Sequence, residues 1–267
     1  MKIYTVLLIA LFSFIFFPIQ EVKALTADEI IRKANLASYY AGNDGKARVK
    51  MELTSKSGKK RFRELTLLRK DIKEGKTQKF YVYFHEPRDV SRMVLMVWKH
   101  IEKDDDRWLY IPAIDLVKRI ATRDKRSSFA GSNFTYEDIS GRRPDDDQHT
   151  LVKEEELNDK STYLIKNVPK EKRLVEFSYY MTWIDKETFL PLKAEYYDKR
   201  EKLHRVISAE EVKVIQGFPT VIKAKAENLQ TGHSTTIEFK DVSYNIGLDE
   251  SIFEERFLRR PPRRWIK

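Results

Sequence analysis

No cysteine occurs anywhere in the 267 residues of this chain. That excludes a disulfide framework, a thiolate metal site and a lipid-modified N-terminal cysteine. Glycine is scarce, and no glycine-rich stretch forms a phosphate-cradling loop. The five histidines, His85, His100, His149, His204 and His233, lie far apart. A zinc site needs three or four converging ligands, so none is indicated. Asp104–Asp106 and Asp145–Asp147 lack the glycine and distal glutamate of a calcium loop and read as solvated acidic loops. Around Ser132 the G-x-S-x-G elbow is missing, because the flanks are Ala130 and Asn133-Phe134. Neither a metal nor a cofactor is expected.

Long apolar runs are also absent, with one exception at the start. Lys2 is followed by a nearly unbroken apolar run from Ile3 to Phe17, and Val22-Lys23-Ala24 ends on a small residue. This is the pattern of a secretory signal peptide over residues 1–24, cleaved after Ala24. The alternative is a retained membrane anchor, but about fifteen apolar residues fall short of the roughly 20 that a spanning helix needs. Residues 25–267 then form one domain, a length that a single all-β unit can fill. The net charge of +10 would suggest nucleic acid in a cytosolic protein. Behind an export signal it points instead to transient contact with an anionic membrane surface, or to an acidic partner, and no nucleic acid is expected.

What the chain does contain is alternation. One helix comes first: Thr26 and Glu29 have capping-box spacing, and Ile30, Ala34, Ala37 and Ala41 make a small-residue stripe that ends at Gly42–Gly45. Val49, Met51 and Leu53 then alternate with Arg48, Lys50 and Glu52, as in a strand buried on one face. FYVYF (80–84) and MVLMVW (93–98) are continuous apolar runs, expected where both faces are covered. After Gly141 the chain turns strongly polar (RRPDDD, KEEELNDK), which suits solvated connections or edge strands. Further strands follow to Phe239, then a helical turn over Asp249–Phe253 and the tail RRPPRRW. That tail, with Arg259, Arg260, Arg263, Arg264 and Trp265, reads either as a frayed terminus or as a membrane contact. The spacing predicts a mainly antiparallel sheet of about ten or eleven strands, curled into a barrel, half-barrel or sandwich.

The stretch on which the pattern turns is 107–139. RWLYIPAIDLVKRI reads as one long strand with Pro112 at a bulge or edge. RSSFAGSNFTYEDI sets Phe129, Phe134 and Tyr136 among Gly131, Ser132 and Asn133, which suits a loop folded back over an apolar surface.

These segments, together with TADEIIRKAN, WIDKETFLPLKAEYYD and GFPTVIKAKAENLQTGHSTTIEFKDVSYN, make the chain resemble the LolA/LolB-like superfamily, in the branch called outer membrane lipoprotein-sorting protein. The likeness covers nearly all of residues 25–267, and GSNFTYED after the WLYIP strand is its most specific part. It implies an incomplete antiparallel barrel, with the N-terminal helix and a short loop or helix segment covering the open concave face, around an apolar cavity. It also implies a periplasmic carrier in a Gram-negative bacterium, taking up the acyl chains of a lipid or lipoprotein and handing them between membrane partners. An inner-membrane transporter of the resistance–nodulation–division (RND) type is one such partner. Two other readings stand beside it: an accessory protein that docks on such an exporter without cargo, and a lipid hydrolase served by Ser132.

Strand parity assigns the ligand-binding wall to Val49, Met51, Leu53, Met93, Met96, Trp98, Trp108, Tyr110, Met181, Trp183, Ile222 and Ala224, with all four methionines on strands. A movable lid over 126–139 is expected to use Phe129, Gly131, Phe134 and Tyr136. Each methylene taken from water contributes about 0.8 kcal/mol, so a palmitoyl-sized chain is disfavoured in water by roughly 11 kcal/mol, and a carrier must offset most of that.

Overall fold

A computed structural model describes residues 24–73 and 75–267; the expected signal segment, apart from Ala24, lies outside them. Helix α1 (Ala27–Tyr39) begins with the expected capping box. The Glu29 backbone N–H donates to the Thr26 hydroxyl, and the Thr26 N–H donates to the Glu29 carboxylate. Thirteen strands follow, more than the ten or eleven expected. The first meander is β1 (Asp44–Thr54), β2 (Lys60–Lys73), β3 (Thr77–Glu86), β4 (Val94–Lys99), β5 (Asp106–Ile111) and β6 (Leu116–Arg119). The second is β7 (Asp147–Leu157), β8 (Lys160–Pro169), β9 (Phe177–Asp185), β10 (Pro191–Asp198), β11 (Leu203–Ile215), β12 (Phe218–Asn228) and β13 (His233–Tyr244).

Each meander pairs in sequence order, and β1 beside β13 joins the two into one sheet. Every pairing is antiparallel, and β6 and β7 remain as unpaired edges, so the sheet is not closed. One extra strand comes from RWLYIPAIDLVKRI, which is a hairpin rather than a single strand. Pro112 opens a 3-10 turn, Asp115 takes φ 45°, and the chain reverses into β6. The run KEEELNDK forms the end of β7 and its turn into β8, so charge lies along one free edge, where it discourages pairing with another chain.

Both faces of β2–β5 are covered, as the unbroken apolar runs required. Leu65, Phe80, Val82, Leu95, Val97 and Leu109 face inward and pack with β1, β13 and the 126–139 segment. Leu68, Tyr81, Val94, Met96, Trp108 and Tyr110 face outward beneath a C-terminal strap. The strap runs from Leu248 through a 3-10 turn at Glu250–Phe253 into two short helices, α3 (Arg256–Arg259) and α4 (Arg263–Ile266). It seats Phe253, Leu258 and Ile266 on the sheet, and it receives hydrogen bonds from Tyr81 Oη to Phe257 O (2.8 Å) and from Trp98 Nε1 to Phe253 O (2.8 Å). The tail is therefore a packed layer, not a frayed end.

Helix α1 lies across the other half of the trough, with Ile30 and Ala34 packed on Ile165 and Ile184. Among the described residues no helix is long and apolar enough to cross a membrane.

Candidate functional site: an apolar cavity in the trough

The inner face holds a cavity of about 340 Å³, within the roughly 300–1,000 Å³ range of small-molecule sites. Its floor is β1 (Ala47, Val49, Met51), β2 (Leu65, Leu67) and β3 (Phe80, Val82). The opposite wall comes from Ile207 of β11, Val221 and Ala224 of β12, and Ile237, Phe239, Val242 and Tyr244 of β13. The C-terminal turn of α1 adds Ala37 and Tyr39, and Ala41 follows just beyond it; the small alanines leave the hollow room.

Two strand irregularities decide which side chains point in. In β13, Asp241 adopts φ 50° where the register with β1 shifts between Lys46 and Arg48. The extra residue reverses the alternation, so Phe239 and then Val242 and Tyr244 all reach the cavity. In β12 the pairing with β11 passes from Lys223 to Val221 and skips Ile222. Val221 therefore lines the hollow where strict alternation would place Ile222.

One end of the trough is plugged by the segment expected to be a lid. Phe129 and Phe134 are buried against the core, and Ser128 and Thr135 form an isolated bridge. The plug is bolted on three sides. Arg63 of β2 donates to Ala130 O (2.9 Å), Arg205 of β11 donates to Asn133 O (2.9 Å) and pairs with Asp138, and Thr235 of β13 exchanges hydrogen bonds with Asn133 (both 3.0 Å). These bonds tie the segment expected to move to β2, β11 and β13, so a lid motion there would have to break them.

Behind the plug, helix α2 (Tyr136–Ser140) carries a buried ionic network. Glu137 meets Lys125 (2.9 Å), Arg126 (3.1 Å) and Arg142 (3.3 Å). Burial alone would push the Glu137 carboxyl up, but these three cations hold it down at about 2. Arg126 also sits over the rings of Phe177 and Tyr196, on β9 and β10 of the second meander. Lys99 donates to the carbonyls of Ser140 (2.8 Å) and Gly141 (2.6 Å), at the C-terminal end of α2, and burial brings its ammonium down to about 8.

The other end of the cavity is open, beneath an arm formed by the distal parts of β11 and β12. Beyond the pairs Lys193–Ser208 and Lys223–Glu238 this ribbon has no ladder to β10 or β13. Its tip is held by side chains instead. Gln216 Nε2 donates to Tyr244 O (3.2 Å), Tyr244 N donates to Gln216 Oε1 (2.6 Å), and Thr220 Oγ1 bonds the Tyr244 hydroxyl (2.9 Å).

The charged residues that contribute to the lining are all partnered. Arg69 pairs with Asp71 and donates to the carbonyls of Ala41 and Gly42, Asp138 pairs with Arg205, Lys193 with Glu195, and Lys46 donates to Lys267 O. What remains is an apolar surface without a free charge.

Of the residues picked by strand parity, Val49, Met51 and Ala224 line this cavity, as do Phe129 and Phe134 of the plug. Leu53 and Tyr136 pack in the same inner core outside the cavity, and Met93, which precedes β4 rather than lying on a strand, packs against that core. Gly131 faces open space with φ +76°, a conformation that explains the glycine and gives it no part in the wall. Met96, Trp98, Trp108 and Tyr110 point to the outer face, under or beside the strap. Met181 and Trp183 lie on the outer face of β9, where the Trp183 indole donates to Glu155 (2.8 Å) beneath Lys193.

Leu65, Leu67, Phe80, Val82, Ile207, Val221, Ile237, Phe239, Val242 and Tyr244 were not assigned to the wall from sequence; for Ile237 and Phe239 the clue was present, in their alternation with Glu238 and Lys240. Ser132 is buried, and its hydroxyl bonds Phe134 N (3.1 Å) and O (3.3 Å), stapling its own turn. Among the described residues no cluster of histidine and carboxylate side chains could hold a metal.

An unclosed antiparallel sheet bent around such a hollow, with a helix across it, is the LolA-like fold. A family model described as uncharacterized protein, of the DUF1329-like kind, matches residues 76–260, and the chain belongs to that family. Among solved structures, a DUF1329 family protein from Desulfovibrio piger is 28% identical, with a TM-score of 0.80 over 87% of this chain and 97% of that one. A domain described as an outer membrane lipoprotein-sorting protein domain, from Vibrio parahaemolyticus, is 28% identical, with a TM-score of 0.81 over 87% and 98%. A LolA superfamily protein from Nitrosomonas europaea shares the fold at 19% identity, with a TM-score of 0.68 over 88% and 100%. Comparison with curated proteins finds no match.

Proposed function

We propose that this protein is a periplasmic carrier that holds acyl chains of a lipid or lipoprotein in the trough and passes them between membrane-bound partners, an inner-membrane transporter of the RND type among them. The observation that carries the reading is the cavity itself: about 340 Å³, lined by aliphatic and aromatic side chains, with its charges matched and one end open. A filled interior would have favoured a docking role without cargo. The likeness to a lipoprotein-sorting domain supports the same direction. No residue would react with the cargo; the wall would shelter it from water, and the Gln216–Tyr244 closure at the mouth would govern exchange.

The test is direct. Purified protein is extracted and its lipid identified by native mass spectrometry, then titrated with a fluorescent fatty acyl probe, alongside Ala224→Phe, which fills the hollow. Saturable binding that Ala224→Phe weakens at least about tenfold, with the fold retained, supports the carrier. An empty protein that never binds the probe rejects it. Turnover of a phospholipid that Ser132→Ala abolishes would replace it with hydrolysis.

A further inference from the structure

From Arg256 to Lys267 the strap carries six basic residues and no acidic one. Arg256, Arg259, Arg260, Arg263, Arg264 and Lys267 are all exposed, while Leu258 and Ile266 between them are buried against the sheet. The packing fixes this division: the short helices seat their apolar side chains inward and turn every charge out. Arg256 meets Glu254 and Arg259 meets Asp115, but Arg260, Arg263 and Arg264 have no carboxylate partner among the described residues. Arg264 lies over the ring of Trp265, which is only half-buried.

A second feature adjoins this one. Arg259 Nε donates to Asp115 Oδ1 (2.9 Å) and Arg259 Nη2 to Asp115 O (3.2 Å), tying the strap to the tip of the β5–β6 hairpin. That tip presents Ile114, 68% exposed, and Leu116, 43% exposed. Unpaired cations on a strap that runs from β1 and β2 to a protruding aliphatic pair, which it reaches through Arg259, match a phospholipid surface, which offers anionic head groups over an apolar layer. An acidic protein would account for the cations but not for the bare isoleucine.

We propose that the strap and the β5–β6 tip form a docking surface for an anionic lipid bilayer, with Arg260, Arg263 and Arg264 engaging head groups and Ile114 entering the interface. The surface lies on the outer face of the sheet, away from the cavity, and the proposal does not rest on the cavity holding lipid.

The experiment is co-sedimentation of the full chain with vesicles of phosphatidylglycerol and phosphatidylethanolamine, against vesicles of phosphatidylcholine alone, at low and high salt. Every protein carries the same N-terminal segment, so its contribution cancels between variants. Each cation near such a surface contributes about fivefold, so Arg260→Gln/Arg263→Gln/Arg264→Gln should weaken binding to the anionic vesicles on the order of a hundredfold. It should also flatten the salt dependence. Ile114→Ser should remove the part of the binding that survives high salt. Both substitutions sit at exposed positions, and circular dichroism confirms the fold. Equal binding to both vesicle types, or anionic binding unchanged in the triple variant, overturns the proposal. So does binding to polyglutamate without binding to vesicles, which would assign the patch to an acidic protein. Ala224→Phe should leave vesicle binding unchanged even if it abolishes probe binding, so the two readings fail separately.

Discussion

The side-chain amide of Gln216 closes on the backbone of Tyr244, accepting from its N–H at 2.6 Å and donating to its carbonyl at 3.2 Å. A side chain thus takes the place of a ladder rung where the β11–β12 arm has left its neighbours. A backbone rung would be reinforced by the rungs on either side of it. This one stands at the open end, supported by the Thr220–Tyr244 hydroxyl contact and the Phe218–Tyr244 ring pair.

Gln216→Ala should therefore free the arm. Uptake of a fluorescent acyl probe in stopped-flow should become severalfold faster, while global stability in urea falls by only about 1 kcal/mol. An unchanged uptake rate would mean that the arm is not the gate.

The two tryptophans of β4 and β5 that strand parity assigns to the wall separate packing from binding. Trp108 is buried on the outer face beside Trp98, ring centroids 4.9 Å apart. Trp108→Ala should cost about 3 kcal/mol of stability and leave the probe affinity of the folded fraction unaltered. A large loss of affinity at full stability would put the binding surface on the other face.

The strap should behave as core. Phe253 of the strap is fully buried against the sheet, whereas Phe62 is 58% exposed on β2. Phe253→Ala should destabilise by roughly 3–4 kcal/mol, and Phe62→Ala by less than about 0.5 kcal/mol, both read as urea midpoints. Equal effects would contradict the layered packing.

Acid should weaken the protein in two stages. Burial first, and Arg48 beside it, hold the His85 ring down at about 4, so it stays neutral in the fold and accepts from Arg48 and Thr66. The unfolded chain takes that proton from about pH 6.5 downward, so stability falls between roughly 6.5 and 4. Glu137, held at about 2 against an ordinary 4.5, contributes stability that is complete above about 4.5 and is lost as the pH falls through 2, on the order of 3 kcal/mol. Urea midpoints between pH 8 and 3 should show both slopes. His85→Gln should make the upper slope shallower, the remainder belonging to His204, whose ring burial also holds down. Glu137→Gln should make the lower one shallower, which it shares with Asp138, Asp146 and Glu176. A slope unchanged in its variant would refute that assignment.

The sequence disclosed the kind of fold more readily than the shape of the hollow. The capping box of α1, the alternation of Val49, Met51 and Leu53, and the two-sided cover over FYVYF and MVLMVW all follow from local pattern, and all appear in the structure. Which side of MVLMVW faces in does not follow from the pattern, because a strand buried on both faces has lost its alternation. Met96 and Trp98 consequently went to the wrong side, and Leu95 and Val97 took the inner one. Ile222 failed for a different reason: a bulge shifts parity by one, and the KAKAE repeat around it carries no mark of where the extra residue falls. Of the two readings of the tail only the frayed terminus fails: its basic residues dominate the composition, while Leu258 and Ile266, which help seat it, are separated by a Pro-Pro step that hides their common face.

The two unjoined margins of the sheet, β6 and β7, set how far the trough can adapt. In a closed barrel the girth is fixed by the ring of inter-strand hydrogen bonds, and a thicker guest must break some of them. Here the halves meet along a single spine, β1 against β13, and α1 spans the gap, the Tyr39 carbonyl accepting from Gln78 of β3 while Ile30 packs on Ile165 of β8. An unclosed sheet can change its girth by flexing about such a spine without breaking a rung, a freedom that a closed barrel lacks.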